Sequence, residues 1–450
     1  MTNKANNRRR FLQQLLASPF ASRAAFGSLA GLSAGSLLAA DNEDYRALVC
    51  VFLLGGNDSF NMVVPRSTNE YNEYATARQN LSVSRDSLLG INPVQTDGAE
   101  YGFHPVMAEV RDLFNSGDLA ITANVGALVE PTTRNDVANR LVTLPPNLFS
   151  HNSQQNFWQS VEAFEAQRIG WAGRLADQFA DINAAALLPM NISLSGANLL
   201  QVGQSSRSFN TTASGAIPFA GANVEARSAM LKSLYEKPND NLFEAAFSET
   251  MNRSILFSNT LETVLENTAD PSTTFGTDGL SRNLRAIAKL IAARNQLAMR
   301  RQIFFVGFGG WDTHGNQLDR HPILLERLSK ALNSFNTEMR AIGCHNNVTT
   351  FTASDFGRTL TSNGDGSDHG WGSHQLVMGG AVAGQQIHGN MPSLVIEGPQ
   401  DAGRGRIIPE SSVDQYGATL ARWFGVPEND LDLIFPNLKN FTQRDLGLFA

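Results

Sequence analysis

Val306-Gly-Phe-Gly-Gly-Trp-Asp-Thr-His-Gly-Asn-Gln317 opens the stretch that decides how this chain reads, and Ser367-Asp-His-Gly-Trp-Gly-Ser-His-Gln-Leu-Val-Met-Gly-Gly380 closes it. Between them lie an amphipathic helical segment and a second strand, Val348-Thr-Thr-Phe-Thr-Ala-Ser-Asp-Phe-Gly-Arg-Thr359. Asp312, His314, Asp355, Asp368, His369 and His374 each stand beside or near Gly, Ser or Thr. Carboxylate oxygen and imidazole nitrogen are donors to divalent cations, and short turns after strands let such ligands converge. Asp312 and His314 are one residue apart, so in an extended segment both project to one side. Arg358 follows Asp355 by three residues and is a candidate for holding an anionic substrate oxygen. Any one of these alone reads as a cap, a turn residue or a hydrogen-bonded polar group. Five of the eight histidines fall between Asp312 and His374, and that clustering points to a metal or anion site.

Outward from this centre the pattern alternates. A helix over 280–299, with Leu284, Ile287, Ala288 and Ile291 on one face, leads into a strand over 302–306. A helix over 322–341 precedes the strand at 348–352. Strands over 375–378 and 393–396 and a last helix over 413–424 follow. Upstream, Ala47-Leu-Val-Cys-Val-Phe-Leu-Leu54 is a continuous apolar run, as expected of a strand buried on both faces in a parallel sheet. It breaks at Gly55-Gly56-Asn57-Asp58-Ser59, and ligands in open α/β sheets bind beyond the carboxyl ends of strands. A helix over 105–114 and a strand over 119–125 add a further unit. Ser150-His151 reads as part of a loop, with His151 a surface or hydrogen-bonded histidine. Residues from about 171 to 275 change character, with short strand-like pieces, a polar Ser/Thr/Gly loop and amphipathic helices, and read as an inserted cap.

Composition sets limits. The chain has 450 residues, 42% of them apolar, and a formal charge of −7. The first forty residues carry Lys4, Arg8, Arg9, Arg10 and Arg23 and no acid; the remainder has 30 basic and 42 acidic residues, a net of −12. Such a body lacks the electrostatic footprint for nucleic acid. Cys50 and Cys344 are the only cysteines, in no metal-binding spacing; Cys50 reads as a buried apolar residue, and a single bridge between the two stays open. Asn6-Asn7-Arg8-Arg9-Arg10-Phe11-Leu12, followed by a weakly hydrophobic run to Ala40, reads as a twin-arginine export signal over residues 1–40. The expected partners are therefore the twin-arginine machinery, with a periplasmic or secreted destination, and no transmembrane helix in the mature chain 41–450.

Residues 55–65 (GGNDSFNMVVP), the NVGAL segment, LFSHNSQQ, GGWDTHGNQ, ASDFGRT and DHGWGSHQLVMGGAV resemble the secreted bacterial family of domain of unknown function 1501, in the alkaline phosphatase-like superfamily. The resemblance covers most of the mature chain. It implies a three-layer α/β/α fold with a largely parallel central sheet. It implies one or two divalent cations, among zinc, calcium, magnesium and manganese, held by Asp58, Asp312, His314, Asp355 and His374 or His369. It implies Ser59 as nucleophile. The sequence departs from the superfamily at Phe356, which follows Asp355 where a histidine is usual, so that His369 would have to substitute. The expected activity is hydrolysis of phosphate or sulfate esters, on a small anionic ester or a surface polymer. The alternative is a non-catalytic envelope protein that binds such a polymer and retains the fold.

Overall fold

Alternation along the first strand builds the molecule in layers. In β1 (Arg46–Leu54), Ala47, Val49, Val51 and Leu53 enter one hydrophobic core, and Leu48, Cys50 and Phe52 enter a second. Successive side chains of a strand point to opposite faces, so both faces of β1 are covered and no residue between Ala47 and Leu53 is more than 1% exposed. The structure is a computed structural model and describes residues 44–95, 97–162, 168–215, 224–235 and 241–450. The expected export signal over 1–40 lies outside the described residues.

The other sheet strands are β2 (Leu119–Gly126), β3 (Asn191–Ser193), β4 (Phe209–Asn210), β5 (Arg301–Gly309) and β6 (Val348–Ser354). A small antiparallel hairpin, β7 (Arg358–Ser362) with β8 (Ser367–His369), stands apart from them. The chain returns to the sheet in β9 (Ser373–Met378), β10 (Ile387–His388) and β11 (Ser411–Ser412). Strand order is β10-β2-β9-β6-β1-β5-β3-β4, with β11 also against β2. All pairings are parallel except those of β9, which runs antiparallel to both β2 and β6. The fold is mixed α/β with a largely parallel nine-stranded sheet.

The helices used below are α1 (Thr68–Arg78), α2 (Ala108–Asn115), α3 (His151–Ser160), α4 (Trp171–Gln178), α5 (Gly279–Ala292), α6 (Gln317–Ala341) and α7 (Val413–Phe424). Apolar residues of α2, α5 and α6 fill the first core: Val110 and Phe114, Leu284 and Ile287, Leu325 and Leu328. Those of α3, α4 and α7 fill the second: Phe157 and Trp158, Trp171 and Leu175, Tyr416 and Leu420. Helices thus cover both faces of the sheet.

Several expectations need correcting. Residues 191–193 and 209–210, within the stretch read as a cap, form β3 and β4 at the sheet's edge, and Trp171 to Ala176 pack into the second core. Their short strand-like pieces are sheet strands. Residues 393–396 form no strand: Pro392 offers no N–H, the Ser393 N–H donates to the Gln400 side chain (2.6 Å), and Gly398 N–H folds back to the Val395 carbonyl. The helix expected from 322 begins at Gln317, with Pro322 inside it. A Cys50–Cys344 bridge is excluded, because Cys50 lies in the second core and Cys344 in the first. The sheet separates them.

One buried charge makes stability pH-dependent. Burial pushes the Asp414 carboxyl up to about 7, against hydrogen bonds from Asn437 and the charge of Arg174. An acid whose folded pKa exceeds its unfolded value, about 3.9, takes up a proton on folding. Its contribution is therefore fully present below about pH 4 and is lost as pH rises towards 7. Each pH unit in that window is worth up to about 1.4 kcal/mol. Asp414→Asn is expected to match wild type in urea melts near pH 4 and to exceed it at pH 8; a wild-type advantage at pH 8 would refute this.

Candidate metal centre

Register places the chemistry at one edge. Leu54 of β1 lies opposite Gly309 of β5, and Leu53 lies opposite Ser354 of β6. The three parallel strands therefore end side by side, delivering 55–58, 310–314 and 355–358 to their carboxyl edge. Because β9 is antiparallel, its first residue, Ser373, sits opposite Val125 near the end of β2. The loop carrying Asp368 and His369 thus enters from the same edge. Helix α3 begins there too, with His151 as its first residue.

Asp312 is the hub. Its Oδ1 accepts from Arg358 Nη1 (2.8 Å) and lies 3.1 Å from His314 Nε2 and 3.3 Å from His369 Nε2. Its Oδ2 lies 3.5 Å from His151 Nε2. His314 Nε2 and His369 Nε2 are 2.8 Å apart. Each imidazole is held from behind: His151 Nδ1 by Asp355 Oδ2 (2.7 Å), His369 Nδ1 by the Phe149 carbonyl (2.7 Å), His314 Nδ1 by Asp368 Oδ1 (3.2 Å). Gln155, one helical turn after His151, donates to the same Asp355 oxygen (2.8 Å), and Gly55 N–H donates to the other (3.1 Å). Partial burial works against the charge of Asp312, but the hydrogen bond and charge of Arg358 outweigh it and hold the carboxyl below the usual range. Asp368 is likewise low, with Asn363 and His314 overcoming its burial.

These partners test whether a cation fits. Carbonyl and carboxylate oxygens only accept, so each imidazole they touch donates through Nδ1 and turns the Nε2 lone pair inward. Three such lone pairs face the acceptor-only oxygens of Asp312 and one another. Acceptors at 2.8–3.5 Å repel unless a proton or a metal ion lies between them. Burial, reinforced by Arg358, lowers the pKa of His369 below its ordinary value, which disfavours the proton. His151, Asp312 and His369 each offer an atom within 4.8 Å of the others. The donor set suits a divalent cation.

The family described as "Protein of unknown function (DUF1501)" matches residues 45–398. The chain belongs to this family. No curated protein matches it. Among solved structures, this DUF1501 member is similar to a sulfatase, PsFucS1, from Pseudoalteromonas sp., at 9% identity over 90% of this chain and 73% of that one, TM-score 0.35. It is similar to the lipoteichoic acid synthase LtaP from Listeria monocytogenes, at 8% identity over 88% and 76%, TM-score 0.34. A third is the soluble domain of lipooligosaccharide phosphoethanolamine transferase A from Neisseria meningitidis, at 9% over 90% and 94%, TM-score 0.33.

In this DUF1501 chain the residues singled out by sequence divide. Asp312, His314, Asp355 and His369 meet at the edge, with Asp355 acting through His151. Asp58 does not join them: fully buried, it forms an ion pair with Arg78 and accepts from Gln317. His374 is also buried; its Nδ1 accepts from the Asn124 N–H (3.1 Å), and burial lowers its pKa to about 3. Ser59 is 0% exposed, and its hydroxyl accepts from the His374 N–H (2.8 Å), so solvent cannot reach the expected nucleophile. Arg358 is buried as well, its nitrogens occupied by Asp312, the Gly55 carbonyl and Ser367. It is spent on positioning Asp312 and cannot also bind a substrate anion.

His151 is the residue sequence reading missed, having assigned it to a loop. Phe356 stands where a histidine was looked for, its ring packed at a tilt with centroids 4.5 Å from His369 and 4.9 Å from His151. The usable signal was His151 and Gln155 four residues apart, one face of a helix.

Gly55 carries a sharp steric demand. Its φ is +118°, and a Cβ there would stand 2.4 Å from the Asp312 backbone nitrogen. Gly55→Ala is expected to cost about 2–3 kcal/mol from strain and displacement, read by denaturant melts, and to weaken any divalent-cation binding at Asp312, read by metal titration. An unchanged melt would show that the turn yields freely.

Proposed function

We propose that this protein is an exported, metal-dependent hydrolase of phosphate or sulfate esters, with Asp312, His151, His369 and His314 as ligands of the cation. The supporting observation is the convergence of inward-facing imidazole lone pairs on Asp312, each fixed from behind by an oxygen acceptor. Such a cation supplies a Lewis acid for the ester oxygen and lowers the pKa of water. Asp355 and Gln155 lock the orientation of His151, the Phe149 carbonyl that of His369, and Asp368 that of His314. Arg358 keeps Asp312 ionised and aimed. The side chains of Asp312 and His314 are each 44% exposed, so an ester on a polymer or a small molecule can approach.

Burial of Ser59 and capture of Asp58 by Arg78 favour a second reading: a protein that retains one cation and binds an anionic surface polymer without cutting it. Elemental analysis of the purified protein, with a panel of chromogenic phosphate and sulfate esters, separates the two. Bound divalent metal with metal-dependent turnover is expected. Metal without turnover on any ester would leave the binding reading, and absence of divalent metal would remove both cation-based accounts. Export through the twin-arginine route belongs to this proposal. Among the described residues no helix is long and apolar enough to cross a membrane.

A further inference from the structure

The hydrolase reading leaves the substrate's own charge without a partner, because Arg358 is enclosed. A second guanidinium stands at the rim. Gly403-Arg404-Gly405-Arg406 forms a tight loop, closed by hydrogen bonds from the Ala402 N–H to the Arg406 carbonyl (2.9 Å) and from the Arg406 N–H to the Gly403 carbonyl (3.3 Å). Gly403, Arg404 and Gly405 have φ of +111°, +61° and +71°. The two glycines take such angles freely, but Arg404 between them does not, and a non-glycine residue there persists only where the surroundings impose it. It is imposed here. Leu360 N–H donates to the Gly405 carbonyl (2.9 Å), and Thr361 Oγ1 donates to the Arg404 carbonyl (2.8 Å), tying the loop to β7.

Both arginines of the loop reach the metal centre's supports. Arg406 lies over the Phe149 ring at 4.2 Å and donates from Nε to the His369 carbonyl (3.3 Å). Arg404 Nη2 is 3.7 Å from Asp368 Oδ2, whose other oxygen meets His314 Nδ1. One carboxylate and one imidazole therefore separate Arg404 from Asp312. The Arg404 side chain is 72% exposed, and a contact of that length in solvent binds weakly, leaving donors of its planar fork for a ligand.

We propose that Arg404 is a specificity-determining residue that binds a second anionic group of the substrate, so that the site takes esters carrying a further sulfate, phosphate or carboxylate. This rests on the hydrolase reading for the word substrate, but the anion clamp can be measured without turnover. The probes are benzenesulfonate and benzene-meta-disulfonate, titrated calorimetrically into zinc-loaded full-length protein at fixed ionic strength. Disulfonate is expected to bind about tenfold or more tightly than monosulfonate, the scale of one charge-assisted hydrogen-bonded contact. Arg404→Gly suits the left-handed backbone and should melt like wild type, yet erase that difference, while monosulfonate affinity stays within about twofold. Arg404→Lys should restore part of it. Equal affinity of wild type for the two probes, or a disulfonate preference that survives Arg404→Gly, would overturn the clamp and leave the hydrolase reading standing. A preference that depends on Arg404 in a protein that turns over no ester would uphold the clamp and sink the hydrolase.

Discussion

Asp312→Ala is expected to abolish binding of the proposed cation and to lower the proposed metal-dependent ester turnover by at least about 100-fold. Outer partners of metal ligands alone are worth about 10–100-fold in affinity or activity, and Asp312 is the residue on which the three imidazoles converge. Its removal leaves lone pairs facing each other with no negative charge to hold a cation among them. The same change frees Arg358, which keeps the Gly55 and Ser367 carbonyls as acceptors. Asp312 is partly exposed, so the stability cost should be modest, about 1–2 kcal/mol. Asp312→Asn separates the two effects. It keeps an oxygen for Arg358 and should melt near wild type, while metal content still falls. Full metal occupancy in Asp312→Ala would place the ion elsewhere and remove the proposed centre.

Arg78→Met is expected to destabilise the protein by about 3–5 kcal/mol, the usual cost of stripping one partner from a buried ion pair. Arg78 and Asp58 are both 0% exposed. Without the guanidinium, Asp58 keeps one oxygen on Gln317, while the other has no partner even in the intact protein. The reverse change should cost less. In Asp58→Asn, Arg78 still donates to Asn61 Oδ1 (3.1 Å) and to the carbonyls of Thr359 (2.8 Å) and Leu360 (3.2 Å). The double variant Asp58→Asn/Arg78→Met should recover part of the loss, because no unpaired charge remains. Denaturant melts of the three variants check the order. If Asp58→Asn proves the more damaging single change, the asymmetry argued here is wrong.

The layered fold was legible because a strand buried on both faces must be apolar throughout, and 47–54 is. Helix α5 showed its core face through Leu284, Ile287 and Ile291 for the same kind of reason. What sequence reading lost depends on partners distant in the chain. His151 and Asp355 are far apart in sequence, and nothing local to His151 says that Asp355 waits for it. Asp58 looked like a ligand because it follows a buried strand; its actual partner, Arg78, sits at the end of a helix with few apolar residues. Arg358 does lie against Asp312, but spacing cannot tell a guanidinium that faces substrate from one enclosed by Gly55 and Ser367. The β3 and β4 edge was hidden because strands of three and two residues carry too little periodicity to register.

The lone antiparallel strand has a consequence for how the molecule comes together in time. Among the described residues, strands β10, β2 and β11 meet the rest of the sheet only through β9, which pairs with β2 on one side and β6 on the other. Until residues 373–378 leave the ribosome, β10 and β11 are not yet made either, and β2 has no partner beside the open edge of β6. The segment that joins them also carries Asp368 and His369 to the centre just before it. Sheet closure is therefore a late event of high sequence separation, the slow kind in folding, and it follows directly on the hairpin that sets His369 opposite Arg358. A chain cut short before 373 would possess most of its core and all four proposed ligands, but no continuous sheet.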